Sequence, residues 1–185
     1  MKIQAMQRTT RLALMAGLFL LAATGTWVLA QSALADKSAA ADGAEIPEWQ
    51  QTDKDMKVFK TPQCGCCTDW VVYLREQGMS VEAVDVTQQQ LNQIKMEAGL
   101  SRELASCHTG FIDGYVIEGH VPHEDVLRLL EERPEVAGLA VPGMPVGSPG
   151  MEMGDRLDPY HVLGFTRSGD AEIFSSYHQL EVTGD

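Results

Sequence analysis

The chain has 185 residues, with 14 Lys and Arg against 26 Asp and Glu, a formal charge of −12. A surface that acidic repels nucleic acid and anionic lipid, which argues against both as partners, and does not discourage cationic cargo. Apolar residues make up 44%, enough for one domain with an ordinary core.

The first 35 residues differ from the rest. Lys2, Arg8 and Arg11 form a positive leader with no acidic residue, residues 12–23 are a nearly unbroken apolar run, and Ala33-Leu34-Ala35 is a small-residue exit. This pattern predicts a Sec-type signal peptide over residues 1–35, cut before Asp36. The alternative is an uncleaved anchor over residues 12–30, which Thr24 and Thr26 interrupt. Cleavage would leave 11 basic against 26 acidic residues, a charge of −15, in an exported protein with no further membrane-spanning segment. Residues 36–55, rich in Ala, Asp and Gly, read as a flexible tether. The folded domain is predicted over residues 56–185.

Residues 56–59 predict a short strand, and Pro62 ends it because proline cannot donate to a ladder. A helix is predicted over residues 68–77, where Cys67, Trp70, Val71 and Leu74 share one face and Gly78 follows as a cap. Residues 79–86 predict a second strand. Thr87 and Gln90 have the spacing of a capping box and open a helix with Leu91, Ile94 and Ala98 on one face. Strand, cysteine loop, helix and strand make a βαβ unit, whose right-handed crossover makes the two strands parallel neighbours. After Cys107, residues 111–118 read as one strand. Pro122 starts a helix through Arg133 with Val126, Leu127, Leu129 and Leu130 inward, and Pro134 stops it. Residues 138–145 are a short buried strand breaking into a loop, and residues 147–158 are irregular. Residues 160–165 and 171–177 form a C-terminal β-hairpin. The fold class is α/β: a thioredoxin-like βαβ core with an added strand-helix segment and a C-terminal hairpin.

Cys64, Cys66 and Cys67 occupy three of four consecutive positions at a predicted helix start. The helix macrodipole and its free N–H groups favour thiolate there. Three thiolates so close repel one another unless a cation neutralises them, and clustered thiolates select soft ions such as Cu(I), or Zn(II). Cys64 and Cys67 also have the C-x-x-C spacing of a redox pair, so spacing alone leaves metal and disulfide both open. Cys107 could supply a fourth sulfur, with His108 beside it. Met144, Met151 and Met153 lie in a Gly- and Pro-rich loop, and thioethers bind Cu(I) but are poor ligands for Zn(II). Of these, Met144 is best placed, where the short strand ends. Surface placement is the default for the other histidines, among which His120 is the one to watch. The chain has no phosphate loop, no G-x-S-x-G elbow and no H-E-x-x-H.

Thr61-Pro62-Gln63-Cys64-Gly65-Cys66-Cys67, Ser106-Cys107-His108-Thr109, Tyr115-Val-Ile-Glu-Gly-His-Val-Pro122, Gly138-Leu-Ala-Val-Pro-Gly-Met-Pro145 and Gly147-Ser-Pro-Gly-Met151 occur in this order. Together they resemble the CopG-like family of periplasmic copper-resistance proteins, across roughly two thirds of the chain. The resemblance implies a thioredoxin-like fold, a periplasmic location and a copper site with Cys64, Cys66, Cys67 and Cys107 as ligands. His108, His120 and Met144 carry over as further candidates. It also implies exchange of copper between Cu(I) and Cu(II). The resulting expectation is more than one Cu(I) ion in a thiolate cluster of a candidate copper oxidoreductase, with other copper-resistance proteins or an electron-transfer partner. The competing expectations are a protein thiol-disulfide oxidoreductase using Cys64 and Cys67, and a disulfide-stapled binding module.

Overall fold

The computed structural model describes Pro47 and residues 50–179, within one compact unit, Ala44–Asp185. The predicted leader and most of the predicted tether lie outside the described residues. Ten elements follow in order: β1 (Met56–Lys60), α1 (Gly65–Glu76), β2 (Val81–Asp85), α2 (Gln88–Glu97), β3 (Thr109–Ile112), β4 (Tyr115–Glu118), α3 (His123–Glu132), β5 (Gly138–Ala140), β6 (Tyr160–Phe165) and β7 (Ala171–Tyr177). The protein is a mixed α/β fold with one seven-stranded sheet in the order β2-β1-β3-β4-β5-β6-β7.

β1 and β2 pair in parallel, as the right-handed crossover predicts, with Met56 opposite Val81 and Lys60 opposite Asp85. β3 runs antiparallel to β1, β4 antiparallel to β3, and β5 parallel to β4. β6 and β7 form the predicted hairpin. Both faces of the sheet are covered. On one, Met56, Val58 and Ile117 pack with Trp70, Val71 and Leu74 of α1 and Val126 and Leu129 of α3. On the other, Phe59, Phe111, Val116 and Phe165 pack with Leu91 of α2 and Leu104. Successive residues of one strand, Val58 and Phe59, thus serve opposite faces.

Three expectations are corrected. Residues 111–118 are not one strand: Asp113 (φ 47°) and Gly114 (φ 85°) are both left-handed and turn the chain between β3 and β4. A two-residue Asp-Gly connection between apolar runs is a strong hairpin signal, because both central residues must adopt positive φ. In α3, Leu127 is 48% exposed; the stripe that faces the sheet is Val126 and Leu129, with Leu130 partly buried. Helix α1 begins at Gly65, three residues earlier than predicted. The carbonyl of Cys64 accepts the Thr68 amide at 3.3 Å, which brings Cys66 and Cys67 into the first helical turn.

The register brings four distant segments to one end of the sheet. β1 ends there at Lys60 and leads to Cys64. β3 starts there, since Thr109 lies opposite Phe59, so Cys107 and His108 precede it at that end. β4 finishes there, with Glu118 opposite Thr109, and leads to His120. β5 is parallel to β4 and finishes at Ala140, leading into the loop of residues 141–159.

Candidate metal centre

Cys64 occupies the N-cap position of α1 with extended backbone and makes no side-chain cap. Its sulfur is therefore not committed to the helix end, unlike a Ser or Asp in that place. Cys67 falls on the buried stripe of α1 with Trp70, Val71 and Leu74. Cys64 and Cys66 are half-buried at the helix tip, as is Cys107 across from them.

The four cysteine sulfurs all lie within 4.8 Å of one another. Cys64 and Cys67 are joined in a disulfide, while Cys66 and Cys107 are free. The Cys64 and Cys66 sulfurs are 3.5 Å apart. A second group meets the first at Cys107: its sulfur is 3.1 Å from His120 Nε2 and 3.3 Å from His108 Nδ1. The three donors of Cys107, His108 and His120 also lie within 4.8 Å of one another.

Both histidines are buried. His120 Nδ1 lies 2.8 Å from the Pro149 carbonyl oxygen, which can only accept. The ring proton therefore sits on Nδ1, leaving Nε2 and its lone pair facing Cys107. A carbonyl on the far nitrogen is the usual way a metal-binding histidine is oriented. His108 packs against Trp70, with ring centroids 4.3 Å apart and planes tilted by 37°, and meets His120 edge to face at 5.0 Å. Its Nε2 is buried without a hydrogen-bond partner. Trp70 is fixed in turn by donating Nε1–H to the Val121 carbonyl at 2.9 Å.

Burial pushes the Cys107 thiol up to about 12, with the neighbouring Cys66 adding to the rise. Burial holds His120 below the usual histidine range, against the opposing Pro149 bond. It holds His108 well below that range, with His120 adding to the effect. The centre therefore presents neutral imidazoles and a protonated Cys107 thiol. A bound cation displaces that proton and takes up the thiolate.

The loop after β5 closes over this group. Ser106 Oγ donates to the Gly143 carbonyl, and Gly143 N–H donates to the Ala105 carbonyl at 3.2 Å. These bonds bring the backbone of Met144 beside the Cys107 segment, but its side chain is 53% exposed. Met153 is exposed as well, and Met151 half-buried. Gly150 sits directly against α1: a Cβ there would lie 2.6 Å from the Trp70 nitrogen and 3.0 Å from the Cys66 oxygen.

Sequence reasoning missed what lies beneath. Glu118 and Lys95 are buried, bridged at 2.5 Å, and tied to Thr109 and to the Ser106 amide. Burial raises the Glu118 carboxyl and Lys95 opposes the rise. The only trace in the sequence is a glutamate closing the apolar run Tyr115-Val116-Ile117, which by itself does not tell a buried carboxylate from a solvated one.

With the Cys64–Cys67 disulfide reduced, four thiol sulfurs and two neutral imidazoles would converge here, a donor set that suits a soft cation; in the disulfide form only Cys66 and Cys107 offer thiols. Among the described residues, neither donor group includes a carboxylate that would favour a hard cation.

A family described as "Protein of unknown function, DUF411" matches residues 104–151, which contain Cys107, His108, His120 and the closing loop. No curated protein matches the chain. Two solved structures do, both titled copper resistance protein copG. Form 2 is 48% identical, with a TM-score of 0.62, and the alignment covers 66% of this chain and 96% of that one. Form 1 is 47% identical, with a TM-score of 0.60 and coverage of 66% and 95%.

Proposed function

Since the chain belongs to the CopG family of copper resistance proteins, we propose that it is an exported copper-binding protein that holds Cu(I) in its cysteine cluster. The observation that carries this is the convergence of all four cysteine sulfurs within 4.8 Å, four thiolates once the Cys64–Cys67 disulfide is reduced, with a second group of Cys107, His108 and His120 sharing one sulfur. Cys107, common to both groups, is suited to bridge two ions, so more than one Cu(I) is expected. Met144 is a further candidate whose exposed thioether would have to turn inward. The strand order β2-β1-β3-β4, with β1 and β2 parallel and α3 following β4, supports a thioredoxin-like core. Residues 1–35 are proposed to direct the protein to the periplasm, with 36–55 as the tether and 56–185 as the copper-binding domain.

Interconversion of Cu(I) and Cu(II) is the finer proposal. Oxidation of the Cys64 and Cys67 thiols to their disulfide releases two electrons and two protons, which matches reduction of two Cu(II) to two Cu(I). The reverse reaction oxidises two Cu(I) and restores both thiols. Another copper-resistance protein or an electron-transfer partner would reset the pair.

Titration of the reduced protein with Cu(I) against a competing chelator, with metal analysis, tests the binding. Tight Cu(I) uptake at more than one ion per chain is the expected result. Weak uptake, or preference for zinc, overturns it.

The Cys64–Cys67 disulfide favours a second reading, a thiol-disulfide oxidoreductase in which Cys64 attacks and Cys67 resolves. Replacing Cys66 and Cys107 together by Ser separates the two. An oxidoreductase keeps its insulin-reducing activity, whereas the copper cluster loses its Cu(I).

A further inference from the structure

Lys95 of α2, Thr109 of β3 and Glu118 of β4 form a closed polar network inside an otherwise apolar layer. Lys95 Nζ donates to Glu118 Oε1 at 2.5 Å and to Thr109 Oγ1 at 2.9 Å, and Thr109 Oγ1 donates to Glu118 Oε2 at 2.7 Å. All three residues are buried, Glu118 and Thr109 completely. For the fold alone this is an unfavourable choice. Taking both charges out of water is costly, and an apolar pair of similar volume commonly serves as well or better.

One contact of the network points outward. The backbone N–H of Ser106 donates to Glu118 Oε1 at 2.5 Å. Ser106 precedes Cys107 in a segment with no regular structure, so its peptide plane is held from outside any ladder, on one side by the Gly143 N–H on the Ala105 carbonyl at 3.2 Å and on the other by Glu118. Two residues after Glu118 lies His120, whose Nε2 faces the Cys107 sulfur at 3.1 Å. The intervening Gly119 donates its N–H to the His108 carbonyl at 3.1 Å. The Glu118 carboxylate thus extends the β3–β4 pairing by one step, reaching past His108 to tie Ser106, and with it Cys107, to the strand that leads to His120.

We propose that Glu118 is the positioning residue of the metal centre: with Lys95 as its buried counter-ion, its carboxylate holds Ser106 so that Cys107 meets His120 before any ion arrives. The chain is then preorganised for the metal rather than moulded by it. This rests on the copper-binding function proposed above and adds to it which residues, none of them ligands, set the affinity. Partners one step removed from a metal typically account for about 10- to 100-fold in affinity.

Two double variants test this, chosen so that neither leaves a lone buried charge. Lys95→Met with Glu118→Leu removes the acceptor for Ser106. Lys95→Met with Glu118→Gln keeps a carbonyl oxygen there and a donor for Thr109. Three properties are read in each: thermal midpoint, Cu(I) affinity of the reduced protein by chelator competition, and amide hydrogen exchange of Ser106 without metal. The expected result is a midpoint near wild type in both, with about tenfold or greater loss of affinity and fast Ser106 exchange in the leucine variant only. Equal affinities in all three proteins, or equal losses in both variants at unchanged midpoint, overturn the positioning role. So does a leucine variant whose Ser106 amide stays protected. Failure of wild-type protein to take up Cu(I) is a separate result that overturns the proposed function. The Ser106 exchange rates still report, free of copper, whether Glu118 holds the segment.

Discussion

At the scale of single residues, the centre depends on groups that must stay neutral and on backbone that must come close. His108 and His120 both have folded-state values below the ordinary histidine range because of burial. The unfolded chain then binds more protons than the folded one as pH falls below about 6.5, the ordinary histidine value. Stability contributed this way is complete above that pH and lost as pH drops through it. The raised Glu118 carboxyl acts in the opposite sense, but around and above the ordinary carboxylate range. The metal-free protein is therefore expected to lose urea resistance between pH 7 and roughly pH 5.5, and His108→Phe should flatten that slope. A slope unchanged by the substitution would place the effect elsewhere. Gly150 has φ +78° and no room for a Cβ against the Trp70 nitrogen. Gly150→Ala is expected to cost about 1–3 kcal/mol, read as a lower urea midpoint. An unchanged midpoint would mean that the loop is not seated on α1. The cysteines were legible in the sequence because their chemistry is carried by residue type and spacing. Glu118 and Lys95 were not, because a charged residue looks solvent-facing until its partner, 23 positions away, is known.

At the scale of elements, local chemistry explains most boundaries. The capping box opening α2 is present in full: Gln90 N–H donates to Thr87 Oγ1 at 3.2 Å, and Thr87 N–H donates to Gln90 Oε1 at 2.9 Å. Thr87→Ala is expected to cost about 1 kcal/mol in equilibrium denaturation. No change would mean that packing of Leu91 alone sets the start of the helix. Two of the three corrected expectations, the β3–β4 hairpin and the outward Leu127, share a cause: an apolar run is not one face where a turn or a helical step divides it. At Asp113-Gly114 the turn chemistry was in the sequence and overrides the run. At Leu127 the 100° step of the helix decides, since residues 126 and 129 share a face that 127 does not.

At the scale of the whole molecule, the site exists because of strand order. Pairing of β1 with β2 followed from a short crossover. The insertion of β3 and β4 between β1 and β5 is set by long-range packing that local periodicity does not encode. That insertion brings Cys107 and His120 to the end of the sheet where β1 delivers the Cys64 loop. Among the described residues no helix is long and apolar enough to cross a membrane. Protein recovered from the periplasm of a Gram-negative host is expected to begin at Asp36 by intact-mass measurement. A chain retaining Met1 in the membrane fraction would show that the leader is an anchor.

The packing of Trp70 against His108 has an experimental consequence. An indole ring whose centroid is 4.3 Å from an imidazole of the candidate metal centre is close enough for its excited state to be deactivated by a copper ion, should one bind there. The chain thus carries an optical probe beside the candidate centre, held by the Val121 carbonyl, and its signal is isolated once Trp27 and Trp49 are replaced by Phe. Emission from Trp70 should fall as ions fill the His108 side and change less when they fill only the cysteine side. The order of loading is then open to measurement by fluorescence, without a dye or a label.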